Sequence, residues 1–258
     1  MRVLFLSKSS GFEHSSIKRE GDRPSHVEQV LSALADQHGF GLEATKDAGR
    51  IRADVLSGFD VVVFYTTGDL TERGGEAERG LFAGDGEPPM GPNGLSDLLA
   101  WIRGGGGFVG FHCASDTFHS EEGHSEEGHS EEGSVSDYIA MLGGEFDSHG
   151  QQFEGLVRVV DADHPITSAA PRELIRLDEW YLFKNFDPER VHVLRVLDSR
   201  DEGERQPAYD REPYPIVWTR EPGEGRVYYD AQGHREDVWD DPEFQDSVVR
   251  ALRWAGGR

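Results

Sequence analysis

Cysteine and long apolar runs are both scarce in this chain, and each shortage excludes a class of protein. Cys113 is the single cysteine among 258 residues, which excludes an internal disulfide and is typical of a reducing compartment. No apolar run reaches about 18 residues, which is the length that a membrane-spanning helix needs. A strand pattern begins at once, in residues 2–6, so no signal peptide is expected. We therefore predict a cytoplasmic protein that does not act at a membrane.

Positive charge is also scarce, and lysine is the rarest source of it. The chain carries 49 acidic and 26 basic residues, which gives a formal net charge of −23. This balance argues against nucleic acid as a partner, because binding to phosphates needs a basic surface. Four of the basic residues are lysines: Lys8, Lys18, Lys46 and Lys184. The composition is typical of proteins from halophiles, and an ordinary acidic protein with an arginine-rich genome is the alternative.

Strand-like and helix-like segments alternate in the first half of the chain, which predicts an α/β fold. Strands are predicted at 3–6, 42–45, 60–65 and 108–111, and then at 156–160, 191–196, 216–219 and 226–230. Helices are predicted from Ser25 to Gly39, around 95–104, around 138–142, and from Asp241 to Gly256. This order indicates a mainly parallel sheet with helices on both faces and extra strands in the C-terminal half. No linker divides the chain, so one domain over residues 1–258 is expected.

Residues 119–133 are three consecutive copies of His-Ser-Glu-Glu-Gly. Their histidines and glutamates could bind a metal weakly, but glycine in every copy builds no rigid coordination geometry. We therefore interpret the segment as an exposed loop insertion that folding does not require. Deleting the three copies should leave the melting temperature nearly unchanged in thermal denaturation. A loss of about 3 kcal/mol would instead show that the segment packs or binds an ion.

Polar side chains follow several predicted strands directly, at the edge where open α/β sheets bind ligands. His112 ends the most strongly apolar of these strands, and Asp116 comes shortly after it. We predict that His112 acts on the substrate as a base and that Asp116 holds its tautomer. The other predicted catalytic residues are His14, His149, Glu179 and His234, and the predicted substrate-binding residues are Thr67, Gly68, Ser115, Tyr138, Trp180 and Tyr181. We expect His14, Thr67, His112 and His234 to surround one pocket.

Cys113 follows a strand in the way that a nucleophile elbow places its nucleophile. The glycines that flank such an elbow are missing, since His112 precedes the cysteine and Ala114 follows it. A small buried thiol is the commoner outcome for a lone cysteine. We therefore predict that Cys113 is not the nucleophile.

A series of motifs along nearly the whole chain points to one family. They lie at 2–6 with 12–14, at 67–71, at 107–112 with 116–118, at 143–146 with 149, at 163–166 with 178–181, at 215–218, at 225–229 with 233–234, and at 254–255. In this order they resemble the ThuA-like family, which is named for trehalose utilisation. The resemblance implies a flavodoxin-like three-layer sandwich similar to class I glutamine amidotransferases. It also implies a role in the catabolism of trehalose or a related disaccharide, including 3-keto-sugars.

Several functions stay open at this point, and the first is a sugar hydrolase or isomerase that uses histidines and carboxylates for acid–base chemistry. The second is a metal-dependent hydrolase or isomerase, with an ion such as zinc held by some of His14, His112, His149 and His234. A non-catalytic sugar-binding protein is the third, and a cysteine amidotransferase is not expected. No cofactor is firmly predicted. The expected partner is a small-molecule sugar, with no nucleic acid, and a homo-oligomer is left open.

Overall fold

The structure, a computed structural model, describes residues 1–75, 77–120 and 134–257. In that part of the chain the strands are β1 (Arg2–Leu6), β2 (Gly41–Thr45), β3 (Val61–Phe64), β4 (Gly107–Phe111), β5 (Glu145–His149), β6 (Phe153–Val159), β7 (Glu173–Asp178), β8 (Tyr181–Lys184), β9 (His192–Asp198), β10 (Tyr214–Arg220) and β11 (Arg226–Asp230). The helices are α1 (His26–His38), α2 (Ala53–Leu56), α3 (Gly94–Arg103), α4 (Asp137–Leu142), α5 (Glu236–Asp240) and α6 (Pro242–Ala255).

One large sheet contains most of these strands, in the order β2-β1-β3-β4-β11-β10-β9-β6-β7. The neighbours from β2 to β11 pair in parallel, and the neighbours from β11 to β7 pair antiparallel. The last strand in sequence, β11, therefore joins the two halves of the sheet. A separate antiparallel pair is formed by β5 and β8. The carboxyl ends of β1, β3, β4 and β11 meet at one edge, because parallel strands share their direction.

The inner parallel strands β1, β3 and β4 are buried on both faces, as their continuous apolar sequences predict, whereas the edge strand β2 is partly exposed. All residues of β3 and β4 are buried, and so are the last four residues of β1. Helices α1, α5 and α6 contact one another, whereas α3 contacts α2 and α4. Both groups of helices reach the central strand β11, through α6 and α4. The architecture is the predicted three-layer α/β sandwich, similar to flavodoxin and to class I glutamine amidotransferases.

Local sequence signals set the ends of the two longest helices. The hydroxyl of Ser25 accepts a hydrogen bond from the Glu28 amide, and the Glu28 carboxylate accepts one from the Ser25 amide. Gly39 ends α1 with a left-handed φ of 72°, which glycine adopts without strain. Asp241 caps α6 by accepting a hydrogen bond from the Glu243 amide. These boundaries confirm the capping predictions.

The strands β5, β7 and β8 and the short helices α2 and α5 were not predicted. The sequence of β5 is Glu-Phe-Asp-Ser-His, which carries one apolar side chain and lacks a strand pattern. Strand β7 lies at an edge of the sheet and leaves Ile175 mostly exposed. Tertiary pairing, rather than local propensity, makes these segments into strands.

No helix in the described ranges is long and apolar enough to cross a membrane. Residues 121–133, which hold most of the three His-Ser-Glu-Glu-Gly copies, lie outside the described residues, so the loop prediction stays a prediction. The first two residues of the repeat region are described. A ring nitrogen of His119 lies 2.9 Å from the Glu145 carboxylate, and Ser120 donates a hydrogen bond to the same group.

Candidate functional site

Three histidines from distant parts of the chain meet at the carboxyl edge of the parallel strands. His14 follows β1, His112 follows β4, and His234 follows β11. Each pair of their ring centroids is 5.1 Å apart, so the three rings form a nearly equilateral triangle. His14 and His112 are buried, and His234 is partly buried. The structure therefore brings these three histidines together, as a site that they share requires.

Glu179 joins the triangle from the end of β7. One of its carboxylate oxygens, Oε2, lies 3.5 Å from Nε2 of His112 and 3.2 Å from Nδ1 of His234. Its other oxygen, Oε1, lies 3.3 Å from Nδ1 of His149. Burial favours the neutral acid, but the ring nitrogens of His112 and His234 outweigh it and hold the pKa of Glu179 well below its usual range. Glu179 therefore stays ionised among the histidines.

The three histidines do not share one electrostatic environment. Burial, reinforced by the neighbouring rings of His112 and His234, lowers the pKa of His14 well below that of an exposed histidine. Burial also acts against the protonated form of His234, but the Glu179 carboxylate outweighs it and raises the pKa of His234. His14 is consequently a neutral imidazole near neutral pH. Its Nδ1 atom is buried and has no hydrogen-bond partner in the described residues.

His112 occupies a sharp turn between β4 and a short 3-10 turn. Its φ angle is 43°, in the left-handed region that side chains other than glycine and asparagine rarely adopt. Its Nδ1 donates a 2.8 Å hydrogen bond to the Ala231 carbonyl, so the lone pair of the neutral ring lies on Nε2. Nε2 is the atom that lies beside Glu179 and His234. This sharp turn, which we call the elbow, therefore presents the imidazole of His112 and not the thiol of Cys113.

The expectation that Asp116 holds the His112 tautomer is wrong, because the Ala231 carbonyl occupies that position. Asp116 instead lies 2.7 Å from Nε2 of His119. The 3-10 turn His112–Asp116 separates the two side chains along the backbone. Asp116 nevertheless lines the same cavity as the histidine cluster.

An open cavity of about 470 Å³ lies over the cluster, within the size range of small-molecule sites. It is lined by Phe12, His14, Leu81, Phe82, Asp116, Phe146, Ser148, His149, Glu179, Tyr181 and His234. The Tyr181 ring lies 4.1 Å from the ring of His112 and 4.3 Å from that of Phe146. Polar groups gather at one end of this cavity, and aromatic faces form its walls.

Three predicted substrate-binding residues lie in the core beneath the cavity. Trp180 is buried and donates its indole hydrogen to the Phe153 carbonyl. Tyr138 is also buried, and its hydroxyl donates to the Ala114 carbonyl. The Ser115 hydroxyl bonds within the core, 2.8 Å from the hydroxyl of Tyr229. Tyr138 supports the turn that follows His112 through its hydrogen bond to Ala114, while Tyr181 lines the cavity.

Thr67 and Gly68 lie beside the site and position the loop that carries His14. The Thr67 hydroxyl donates to the Phe12 carbonyl and accepts from the Gly11 amide. Gly68 has a φ of 75°, and a Cβ there would come within 2.8 Å of the Gly11 nitrogen. We conclude that these two residues shape the cavity because they contact the backbone of residues 11 and 12.

Two features of the site escaped sequence reasoning. Leu81 and Phe82 extend the apolar wall from a long loop, and both side chains are mostly exposed. Asp178 is fully buried, and it accepts hydrogen bonds from the backbone amides of Gly233 and Glu179. Burial raises the pKa of Asp178. Its place beside Glu179 in the sequence was the available signal, and its contacts fix both Glu179 and the loop that carries His234.

The same cluster is also the place in the described chain where a metal ion could be held. His14, His112, Glu179 and His234 each offer one ligand atom, and all four atoms lie within 4.8 Å of one another. His149, which the sequence grouped with the metal candidates, lies further out and contacts the other oxygen of Glu179. Glu179 therefore replaces His149 in the set that geometry brings together.

Cys113 points away from this chemistry. The thiol is fully buried, and its burial, reinforced by Asp116, raises its pKa well above the ordinary value. Replacing Cys113 with alanine or serine should retain most activity on the true substrate, since the thiolate that attacks a substrate is disfavoured there. Kinetics of both variants, with mass spectrometry after a thiol-directed reagent, check this. Complete loss of activity together with a mass adduct on the wild-type chain would contradict it.

Comparisons with known proteins agree with this architecture. The ThuA family model, described as trehalose utilisation, matches residues 2–255. A ThuA-like protein from Bacteroides uniformis superposes with a TM-score of 0.67 at 20% identity, over 98% of this chain and 90% of that one. The Cytoplasmic Protein STM3548 from Salmonella typhimurium gives 0.58 at 13% identity, over 99% of both chains.

A GMP synthase protein from Thermoplasma acidophilum gives a TM-score of 0.50 at 10% identity, over 100% of this chain and 95% of that one. At these identities the similarity concerns the fold alone. No curated protein matches the chain. The family match over nearly the whole length, on a fold that its structural neighbours share, shows that the chain belongs to the ThuA family.

Proposed function

We propose that this chain is an enzyme of disaccharide catabolism that acts on trehalose, a related disaccharide or its 3-keto form in the cavity above the histidine cluster. The observation that carries the proposal is the convergence of three histidines and Glu179 at the base of an aromatic-walled cavity. Membership of a family described as trehalose utilisation supports this choice of substrate class. We place the reaction in the cytoplasm, because the similar Salmonella typhimurium protein is named a cytoplasmic protein.

The walls of the cavity suit a sugar ring. The rings of Phe146 and Tyr181 offer apolar faces on which the C–H face of a sugar can lie. Asp116 and Glu179 offer carboxylate oxygens that accept hydrogen bonds from hydroxyl groups. An apolar surface beside several acceptors favours a ligand that is apolar on its faces and rich in hydroxyls at its edge.

His149 is the proton-transferring group that we propose. Its side chain is 43% exposed at the cavity, whereas His112 beneath it is fully buried. Its Nδ1 donates to the Gly150 carbonyl at 2.9 Å and lies 3.3 Å from Glu179, so its lone pair lies on Nε2. A neutral imidazole of this kind can accept a proton from a sugar hydroxyl or from the carbon beside a keto group. Glu179 orients the ring for that step.

Turnover of sugars by matched histidine variants tests this function. Purified full-length protein is incubated with trehalose and with 3-ketotrehalose, and products are followed by chromatography. His149→Asn should lower turnover by about two orders of magnitude, which is the usual contribution of one proton-transferring group. His192→Asn is the control, because His192 also pairs with a carboxylate, Asp161 at 2.7 Å, and lies on β9 outside the cavity. It should keep wild-type turnover.

Two results would overturn the proposal. Binding of either sugar in calorimetry without turnover would assign a non-catalytic sugar-binding role instead. Equal turnover by the His149→Asn and His192→Asn variants would remove His149 from the reaction.

A further inference from the structure

We propose that His112, His234, Glu179 and His14 form a binding site for one divalent transition-metal ion of the zinc class. The site lies at the base of the same cavity. The proposal rests on the proposed function for the use of the ion, and on the geometry of these four side chains for its binding. The proposal includes no covalent step, because the four side chains would only hold the ion, which would act as a Lewis acid.

The distances among three of the donor atoms fit a tetrahedral ion. Zinc bonds to imidazole nitrogen and carboxylate oxygen are about 2.0–2.1 Å long, so two ligand atoms in a tetrahedron lie about 3.3–3.4 Å apart. The three distances here are 3.2 Å between Nδ1 of His234 and Nε2 of His112, 3.2 Å between Nδ1 of His234 and Oε2 of Glu179, and 3.5 Å between Nε2 of His112 and the same oxygen. An ion slightly out of the plane of this triangle would lie within bonding distance of all three atoms.

The protonation of the cluster also fits a metal. Nδ1 of His112 donates to the Ala231 carbonyl, which leaves a lone pair on the nitrogen that faces the other donors. Histidine ligands of metals are ordinarily held through their second nitrogen in this way. The buried Nδ1 of His14 has no hydrogen-bond partner among the described residues, so this atom is available to an ion.

The backbone around the site fixes the ligands more firmly than surface histidines are fixed. The elbow holds His112 in its left-handed conformation, and Asp178 accepts hydrogen bonds from the amides of Gly233 and Glu179. Asp178 therefore sets two ligands at once, His234 through the residue before it and Glu179 through its own amide. The buried Asp178 carboxylate also adds negative charge behind the ion, which favours a dication.

The surroundings of the ligands indicate a catalytic rather than a purely structural ion. His14, Glu179 and His234 line the cavity, so the ion would face the space where a substrate lies. Catalytic zinc sites typically have three protein ligands and an open position, and the close donors of His112, His234 and Glu179 match that number, with His14 beside the open position. The chemistry that such an ion supplies is polarisation of a carbonyl or hydroxyl oxygen. A keto-sugar carries a group of that kind.

Metal binding by the full-length chain tests the proposal without any sugar. The protein is stripped with a chelator and titrated with Zn²⁺ by calorimetry, and with Co²⁺ by visible absorption, which reports the coordination number. We expect one ion per chain and a strong, low-symmetry Co²⁺ spectrum. His112→Asn and Glu179→Gln should each weaken Zn²⁺ binding at least about 100-fold, because loss of a direct ligand exceeds the 10–100-fold cost of losing a supporting group.

Matched controls separate this site from other histidines. His192→Asn removes a surface histidine that has a carboxylate partner and should leave the affinity unchanged. A variant with His124→Asn and His129→Asn removes histidines of the repeats and should also keep one tight ion. Absence of stoichiometric binding, or tight binding that disappears in the repeat variant and persists in His112→Asn, would overturn the proposal.

The experiments can refute the metal site and the proposed sugar chemistry separately. Tight binding of one ion with no turnover of either sugar would support the metal site and refute the sugar chemistry. Full turnover by chelator-treated protein that contains no metal by elemental analysis, together with no stoichiometric Zn²⁺ binding in calorimetry, would support the sugar chemistry and refute the metal site. Circular dichroism of each variant confirms that a lost ion reflects a lost ligand and not a lost fold.

Discussion

Replacing His112 with asparagine should lower turnover by about two to four orders of magnitude and leave the fold nearly as stable as before. Asparagine tolerates the left-handed backbone of this elbow, where φ is 43°. Its side-chain amide can also replace Nδ1 as the donor to the Ala231 carbonyl. The substitution therefore removes Nε2, which lies beside Glu179 and His234 and which we propose as a ligand of the metal ion that turnover needs.

Steady-state kinetics and thermal unfolding of the same preparation check this prediction. A structural role for His112 predicts the opposite pair of results, namely a clear fall in melting temperature and unchanged specific activity of the folded fraction. His26→Asn is a suitable control, because His26 is a partly exposed histidine that pairs with Asp240 at the surface. That variant should change neither quantity by much.

Replacing Asp85 with alanine should destabilise the protein by about 3–5 kcal/mol, the usual cost of removing one partner from a buried ion pair. The Asp85 side chain is 4% exposed and lies within 3.4 Å of Nζ of Lys8 and 3.3 Å of Nζ of Lys46. It also accepts hydrogen bonds from the amides of Ser9 and Glu87. Alanine would leave two buried ammonium groups without their shared carboxylate.

Denaturant unfolding of the Asp85→Ala variant measures this loss. Asp54→Ala is the matched control, since Asp54 pairs with Arg52 but its side chain is 72% exposed. An exposed pair of this kind contributes about 0–1 kcal/mol. A loss of similar size in both variants would contradict the view that the buried cluster anchors the 70–90 loop to the end of β1.

The parallel half of the fold could be predicted from the sequence, because a strand that is buried on both faces has a continuous run of apolar residues. The strands β3 and β4 are such runs, and both were predicted within a residue or two. Strand β5 has no such signal, since it becomes a strand only by pairing with β8. Such pairing depends on the rest of the fold and cannot be seen locally.

The site was partly predictable for a related reason. His14, His112 and His234 come directly after parallel strands, and topology alone brings strand ends together. Trp180 and Tyr138 were predicted to bind the substrate, but both lie in the core. A sequence gives the neighbours of a residue along the chain and does not say which way its side chain points.

Phe82 also shows that a sequence does not reveal which residues line a cavity. Its side chain is 64% exposed and lines the cavity, although 70 residues separate it from Phe12 on the same wall. The two rings lie 6.3 Å apart. The loop that carries Phe82 reaches the cavity because buried ion pairs hold its base, and residues that are distant in sequence supply those pairs.

The central position of β11 in the sheet affects how the protein can fold during its synthesis on the ribosome. This strand is synthesised after the other ten strands of the described residues, yet it lies between β4 and β10, and His234 follows it directly. A nascent chain that ends before residue 226 has neither the strand that joins the two halves of the sheet nor the third histidine. The cluster of three histidines can therefore assemble only after residues 226–234 have been synthesised, and a shorter translation product cannot contain it.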